Sequence, residues 1–287
     1  MGARVDSHCH LWRLDRGDYG WLDPANIDLA PLLHDFEPRD LQLRLRGAGI
    51  DAAIVVQAAP TVDETRFLLD LAATTSQIAG VVGWVDLSDP NSAIVLQDLA
   101  RDPAFKGVRP MLQDLDQSDW IATKTDAGVI ARMMDLGLRF DALVLAPHLP
   151  HLLTFASAYP DLPIVVDHAA KPPLADRSDF DAWRDGLRDI AAQTTAVCKL
   201  SGLLTEMAPA DLDRAEEVLA PIVADLLEWF GPTRLMWGSD WPVLKLAGSY
   251  AGWNALAQAL LADLSPADRD RILGGTAREF YGLEAAA

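Results

Sequence analysis

Short apolar runs rich in valine, isoleucine and leucine recur along the chain, separated by longer segments in which apolar residues have helical spacing. Eight runs predict β-strands, at residues 4–8, 53–57, 80–85, 107–111, 138–144, 163–168, 197–201 and 234–240. Segments 63–75, 149–160 and 213–231 predict amphipathic helices. Such alternation indicates parallel strands joined by right-handed crossovers, and eight units suffice to close a barrel. The expected fold is α/β, a single-domain (β/α)8 TIM barrel comprising residues 1–287.

The composition agrees with this fold. The chain has 287 residues, of which 50% are hydrophobic and 23% charged, as in globular proteins with a large buried core. No Gly-, Ser- or Pro-rich linker divides the chain. No apolar run approaches the roughly 20 residues of a membrane span, so we expect no membrane partner. The composition does not distinguish a monomer from a homo-oligomer.

Charge and cysteine content narrow the classes of function. The net charge of -18 disfavours nucleic-acid binding, which needs clustered lysine and arginine. A neutral small molecule that yields an acidic product would suit so acidic a chain. Cys9 and Cys198 are expected to face the apolar layer as free thiols. Because a candidate functional motif lies within the first ten residues, we expect no signal peptide, and the predicted location is cytoplasmic.

Two of the six histidines, His8 and His10, lie one residue apart in the motif DSHCHLW. Alternate residues of a strand project from the same face, so both imidazoles would converge on one point. Neutral imidazole nitrogens ligate zinc at about 2.0–2.1 Å, and a pair placed in this way indicates a divalent metal, with zinc as the first candidate. Two hydrogen-bonded structural histidines are the alternative, and other ligands must decide.

Further polar residues end the later strands: Arg109 on strand four, His168 on strand six, Lys199 on strand seven and Asp240 on strand eight. Barrel active sites are built at the carboxyl ends of the strands, so these side chains and the histidine pair are expected to meet in one cavity. Strand alternation places His168 on the inner face and leaves Asp167 on the opposite face.

Candidate substrate-binding residues lie near the same strand ends and in the long first connection. Tryptophan faces can stack on sugar rings, and amides or carboxylates can hydrogen-bond to hydroxyls. The candidates are Trp12, Trp21, Trp84, Trp241, Gln57, Asp86, Asp141 and Glu206. Core packing is the alternative for each tryptophan. A structural ion pair is the alternative for Arg109, and Lys199 must also find a carboxylate if it faces the barrel interior.

Several motifs together resemble the amidohydrolase superfamily, in particular the sugar-lactonase group of its amidohydrolase-2 branch. They are DSHCHLW, VVDHAAKP and GSDWP, joined by GDYGWL, KGVRPMLQD and VCKLSGLLTE. The resemblance spans nearly the whole chain. It implies a barrel enzyme that hydrolyses a neutral sugar lactone, such as L-fucono- or L-galactonolactone, to the aldonic acid. His8, His10 and Asp240 would form the metal or water site, and His168 would be the histidine of strand six.

The sequence departs from the binuclear members of the superfamily at two positions. They carry a modified lysine on strand four, where this chain has Arg109. They also use a histidine on strand five, where this chain has Asp141, and His148 lies beyond the strand. The resemblance therefore implies one divalent metal rather than two, and the reaction need not require it.

Lactone hydrolysis needs a nucleophilic water, a stabilised oxyanion and a proton for the departing ring oxygen. Asp240 would deprotonate the water and return the proton, while His168, Arg109 or Lys199 would stabilise the oxyanion. Two alternatives stay open. The same branch contains metal-dependent nonoxidative decarboxylases, in which basic groups such as Arg109 and Lys199 would bind a carboxylate. The second alternative is a barrel that binds a sugar or a metal without catalysis, and the presence of Asp240 argues against it.

Overall fold

In a computed structural model, which describes residues 2–283, eight parallel strands form one sheet in sequence order. The strands are β1 (Val5–Cys9), β2 (Ala52–Val56), β3 (Ile78–Gly83), β4 (Phe105–Val108), β5 (Arg139–Ala142), β6 (Ile164–Val166), β7 (Val197–Leu200) and β8 (Leu235–Trp237). A parallel bridge between Cys9 and Trp241 brings the chain after β8 beside β1 and closes the sheet. The predicted (β/α)8 barrel is confirmed.

The helices connect the strands and cover the barrel. They are α1 (Pro38–Ala48), α2 (Val62–Thr74), α3 (Ser92–Leu99), α4 (Trp120–Thr123), α5 (Ala127–Asp135), α6 (Leu149–Ala158), α7 (Phe180–Gln193), α8 (Ala215–Phe230), α9 (Tyr250–Leu260), α10 (Pro266–Asp270) and α11 (Thr276–Phe280). The Thr61 hydroxyl caps α2 by accepting from Glu64 N at 3.0 Å. Ser265 caps α10, and a kink at Gly274 separates it from α11. Within residues 2–283, no helix combines the length and the apolarity that crossing a bilayer requires.

Apolar side chains form two clusters, one inside the barrel and one between the barrel and the helices. The inner cluster contains Val5, Ile54, Val56, Val82, Val165, Val197, Met236, Ala277 and Tyr281. Cys9 and Cys198 belong to the larger outer cluster as buried free thiols, as expected. Tyr281, which follows α11, reaches the barrel interior from the C-terminal segment. The polar residues after the strands are therefore held above a packed apolar core.

Seven strands, β2 to β8, end one to three residues earlier than the sequence predicted, and the early ends of β6 and β8 position residues of the site. β6 ends at Val166, and residues 168–171 then adopt four consecutive left-handed conformations with φ between 50 and 56°. β8 ends at Trp237, and Asp240 has φ 56°. Val165 faces the barrel interior and Asp167 follows it inward, so the assignment of Asp167 to the opposite face was wrong. His168 reaches the interior because the chain turns after the strand, which strand alternation does not describe.

Candidate active site

Three histidines and one aspartate meet at the carboxyl ends of β1, β6 and β8. Asp240 Oδ1 lies 3.3 Å from His10 Nε2, 3.8 Å from His168 Nε2 and 3.9 Å from His8 Nε2. The two Nε2 atoms of His8 and His10 are 3.2 Å apart. All four side chains are buried. The structure thus brings together four of the six residues that the strand-end pattern singled out.

Hydrogen bonds join the chain after β8 to β1 and hold Asp240 in place. Asp240 N donates to His8 O at 2.8 Å, and Ser239 N donates to Asp6 Oδ1 at 2.8 Å. The Tyr250 hydroxyl donates to Asp6 Oδ2 at 2.8 Å. Burial raises the pKa of Asp6 to about 6, although its hydrogen bonds with Ser239 and Tyr250 oppose the shift. Sequence reasoning did not select Asp6, although it begins the histidine motif.

The left-handed turn after β6 places His168 against a glycine. A Cβ at Gly202, whose φ is 64°, would lie 2.6 Å from His168 Nδ1, so a side chain there would displace the imidazole. His168 Nδ1 hydrogen-bonds with Ser201 Oγ at 2.8 Å. Trp183 Nε1 donates to Ala169 O at 2.7 Å and anchors the turn. The left-handed backbone conformation is energetically unfavourable for non-glycine residues, so the surrounding structure must hold these four residues in it.

Asp240 is a carboxylate at neutral pH. Burial by itself raises its pKa, but attraction to His168 and a hydrogen bond with His10 outweigh burial and bring the pKa below 3.8. Burial and the neighbouring charge of Lys199 lower the pKa of His8 well below 6.5. The site therefore combines an ionised acid with a neutral imidazole, which suits abstraction of a proton from water.

Lys199 forms a buried charge network beneath these residues. Its Nζ lies 2.5 Å from Asp141 Oδ2, 2.9 Å from Asp167 Oδ1 and 3.1 Å from His8 Nδ1. The Tyr281 hydroxyl also donates to Asp141 Oδ2, at 2.7 Å. Burial would lower the pKa of Lys199, but the two carboxylates outweigh burial and raise it. Lys199 is thus a fully paired ammonium group that contacts the site through His8.

His8 Nε2, His10 Nε2 and Asp240 Oδ1 can hold a metal ion. Ligands 2.0–2.1 Å from a tetrahedral zinc lie about 3.4 Å from one another, and the observed separations of 3.2, 3.3 and 3.9 Å are close to this value. His10 Nδ1 donates to Val56 O at 2.8 Å, an outer contact typical of metal-bound histidine. As a metal ligand, His10 would keep its proton on Nδ1 and offer the Nε2 lone pair to the ion. The three residues fit a zinc ion.

His8 differs from His10 in its outer contact. The ammonium of Lys199 donates to His8 Nδ1, which leaves the ring proton on Nε2, the atom that a metal would need. Ligation through Nε2 would require that proton on Nδ1, where Asp167 Oδ1 at 3.4 Å could accept it. Lys199 and a metal therefore compete for the His8 ring, and the site can also exist in a form held by hydrogen bonds alone.

A cavity of about 290 Å³ opens over His10, His168 and Asp240. Other predicted site residues in its wall are Trp21, Arg109 and Glu206. The Arg109 guanidinium donates to Gln57 O at 2.5 Å and lies 3.7 Å from Asp167 Oδ2. Arg109 is thus a cavity residue and the partner of a barrel acid at once. A cavity of this size accommodates a small molecule such as a single sugar ring.

Three other predicted substrate-binding residues are buried away from the cavity wall. Trp12 and Trp241 each contact Phe36 edge to face, with ring centroids 5.0 and 5.2 Å apart. Gln57 is buried and donates to Arg109 O at 2.7 Å. Trp12 also packs on the cavity residue Trp21, with ring centroids 5.5 Å apart. Direct binding of substrate by Trp12, Gln57 or Trp241 stays a prediction.

Trp84 and Asp86 line a second cavity of about 450 Å³. The two cavities share Met111 and Asp114. The second cavity adjoins the first without containing any of the three histidines or Asp240. A role for Trp84 and Asp86 in substrate binding stays a prediction.

Sequence reasoning did not select several polar residues of the first cavity. Lys171, Gln113 and Thr205 line it from three different loops. Each lies within about five positions of a strand end, and Lys171 belongs to the quoted motif VVDHAAKP. Their closeness to strand ends was the signal that the sequence offered. Only the conformation of the loops brings them to the same cavity.

The fold and this site define a class of barrel enzymes in which histidines and an aspartate at the strand ends activate water. The chain belongs to the amidohydrolase family, whose profile matches residues 5–283. A relative named L-fucono-1,5-lactonase, from Burkholderia ambifaria, is 45% identical and covers 99% of this chain and 97% of its own length. A second relative of that name, from Burkholderia multivorans, is 39% identical with the same coverage.

Solved structures agree with this assignment. A crystal structure of an amidohydrolase from Burkholderia multivorans, described with bound zinc, is 36% identical, has a TM-score of 0.89 and covers 99% of this chain and 100% of its own. A dihydroxybenzoic acid decarboxylase from Polaromonas is 16% identical with a TM-score of 0.66, covers 100% of this chain and 98% of its own, and shares the fold alone.

Proposed function

We propose that this enzyme is a lactonase that hydrolyses a neutral sugar lactone to the aldonic acid, with L-fucono-1,5-lactone as the first candidate. The observation that carries the proposal is the buried, ionised Asp240, held within 3.3 Å of His10 at the floor of a cavity of about 290 Å³. The two relatives named L-fucono-1,5-lactonase, at 45% and 39% identity, support the choice of substrate.

Asp240 performs the proton transfers. It takes a proton from water as the water oxygen attacks the lactone carbonyl, and the carbonyl oxygen becomes an anion. Arg109 and the Nε2 atom of His168 are the cavity groups placed to stabilise that anion. When the ring carbon–oxygen bond breaks, Asp240 returns its proton to the departing alkoxide. The aldonic acid then ionises, so each turnover releases one proton to the solution.

A zinc ion, if bound, would be held by His8, His10 and Asp240, and it would supply Lewis acidity at the carbonyl oxygen or lower the pKa of water. The alternative form, in which Lys199 donates to His8, supports turnover without a metal. We also place the enzyme in the cytoplasm, because Cys9 and Cys198 are buried free thiols of the kind that a reducing compartment maintains.

The test is a pH-indicator assay of proton release on a panel of L- and D-aldonolactones, before and after chelation. We expect release with L-fuconolactone among the best substrates. Loss of the rate on chelation and its recovery with zinc would assign the metal a catalytic role, and an unchanged rate would assign His8 and His10 to substrate and water. A silent panel, together with carbon dioxide release from aromatic acids, would replace the proposal with decarboxylation.

A further inference from the structure

Lys171, Glu206 and Gln113 form a polar cluster on the cavity wall. Lys171 Nζ lies 3.1 Å from Gln113 Oε1 and 3.3 Å from Glu206 Oε1. The three side chains come from the loops after β6, β4 and β7, so three separate elements converge to form the cluster. Lys171 and Glu206 retain side-chain exposures of 24% and 21%, and both line the cavity. The cluster is therefore accessible to a bound ligand.

The backbone at Lys171 indicates that the position of its side chain matters. Lys171 ends the left-handed turn that begins at His168, and its own φ and ψ are 51 and 72°. Its N–H donates to His168 O at 2.8 Å. One unfavourable turn thus supplies both a histidine of the catalytic centre and the lysine of the cluster. Backbone strain of this kind persists where a surrounding structure enforces it, often at functional sites.

The chemistry of the cluster suits hydroxyl groups. An ammonium has three N–H donors, and Gln113 and Glu206 use two of them, so one is left for a ligand. A carboxylate has about four acceptor sites, and the contact with Lys171 uses one. Because the charges of Lys171 and Glu206 are paired, the cluster offers a donor beside an acceptor without net charge. This pairing favours a neutral polyol over an anionic ligand.

We propose that Lys171 and Glu206 bind two neighbouring hydroxyl groups of the sugar ring and thereby determine which lactone stereoisomers the site accepts. Lys171 donates to one hydroxyl oxygen, and Glu206 accepts from the next hydroxyl. Gln113 holds the lysine in place. The inference rests on the proposed function for its ligand, a sugar ring, but not on turnover. Inverting or removing either hydroxyl leaves a partly buried donor or acceptor without a partner, which penalises the wrong substrate.

The experiment measures binding of a 1,5-anhydroalditol, a ring polyol without a carbonyl that cannot be hydrolysed, together with its monodeoxy derivatives. Calorimetry compares wild type, Lys171→Met and Glu206→Gln, and Lys124→Met removes an exposed lysine as the matched control. We expect wild type and the control to bind the parent at least tenfold more tightly than one monodeoxy derivative. In Lys171→Met that preference should fall below threefold, and Glu206→Gln should reduce the preference at the adjacent hydroxyl.

The outcomes separate this inference from the proposed lactonase function. Polyol binding that depends on Lys171 supports the inference even if no lactone is hydrolysed, in which case the proposed function alone fails. If Lys171→Met and Glu206→Gln fold and keep the wild-type preference among the polyols, the inference is wrong whatever the lactone assay shows. It is equally overturned if wild type binds none of them. Thermal melting checks that each variant is folded.

Discussion

Asp240→Asn tests the role of the central carboxylate with the smallest change of shape. Asparagine has nearly the same size as aspartate and tolerates the left-handed φ of 56° at this position. The backbone bond from residue 240 N to His8 O, 2.8 Å long, does not depend on the side chain. The side-chain amide can also keep a hydrogen bond with His10 Nε2, because it offers both an N–H donor and an oxygen acceptor. We therefore expect the variant to fold.

The expected loss of kcat follows from the two proton transfers assigned to Asp240. General acid–base catalysis by one side chain contributes about 10²–10⁴-fold, equivalent to a barrier change of about 3–5 kcal/mol. Asp240 serves as the base for water and as the acid for the ring oxygen, so the upper part of this range applies. Among residues 2–283, no other carboxylate that lines the cavity lies within 4 Å of one of these histidines. We expect kcat to fall by at least a thousandfold.

The assay is initial-rate proton release on the best lactone, with thermal melting of the same preparations. Asp70→Asn, an exposed aspartate on α2, is the matched control and should keep the wild-type rate. A folded Asp240→Asn variant with a rate within tenfold of wild type would refute the assignment of Asp240 as the base.

Three further predictions concern stability, the position of His168 and the metal. Burial raises the pKa of Glu64 to about 7, so this acid binds more protons folded than unfolded, and its contribution to stability is lost as pH rises from 4.5 to 7. Urea unfolding should show the stability of wild type relative to Glu64→Gln falling by about 2 kcal/mol between pH 5 and pH 8, and an unchanged difference would contradict the buried pKa. Gly202→Ala should displace His168 and lower kcat at least tenfold. The variant should also lose about 1–2 kcal/mol of the free energy of unfolding, because alanine is strained in the left-handed conformation. A wild-type rate would show that His168 tolerates movement. His10→Asn should weaken zinc binding at least tenfold by calorimetry while His151→Asn leaves it unchanged, and equal affinities would exclude His10 as a ligand.

The barrel and the centre of the site were predictable from the sequence because both depend on topology. Parallel strands joined by helices place every strand end on one face, whatever the loops do. His8, His10, His168 and Asp240 could therefore be assigned to one site without knowledge of a single distance. The free thiols followed in the same way, since alternation within a strand decides which layer a residue faces.

Residues beyond the strand ends could not be placed from the sequence. Lys171 reached the cavity because the chain adopts left-handed conformations after β6, which no periodicity encodes. Trp21 lines the cavity whereas Trp12 is buried behind it, and only the packing of the first connection separates the two. The buried pairing of Lys199 is likewise a tertiary property, because its partners come from distant strands. The order of strands and helices thus determined where chemistry could occur, and the packing of loops decided which side chains take part.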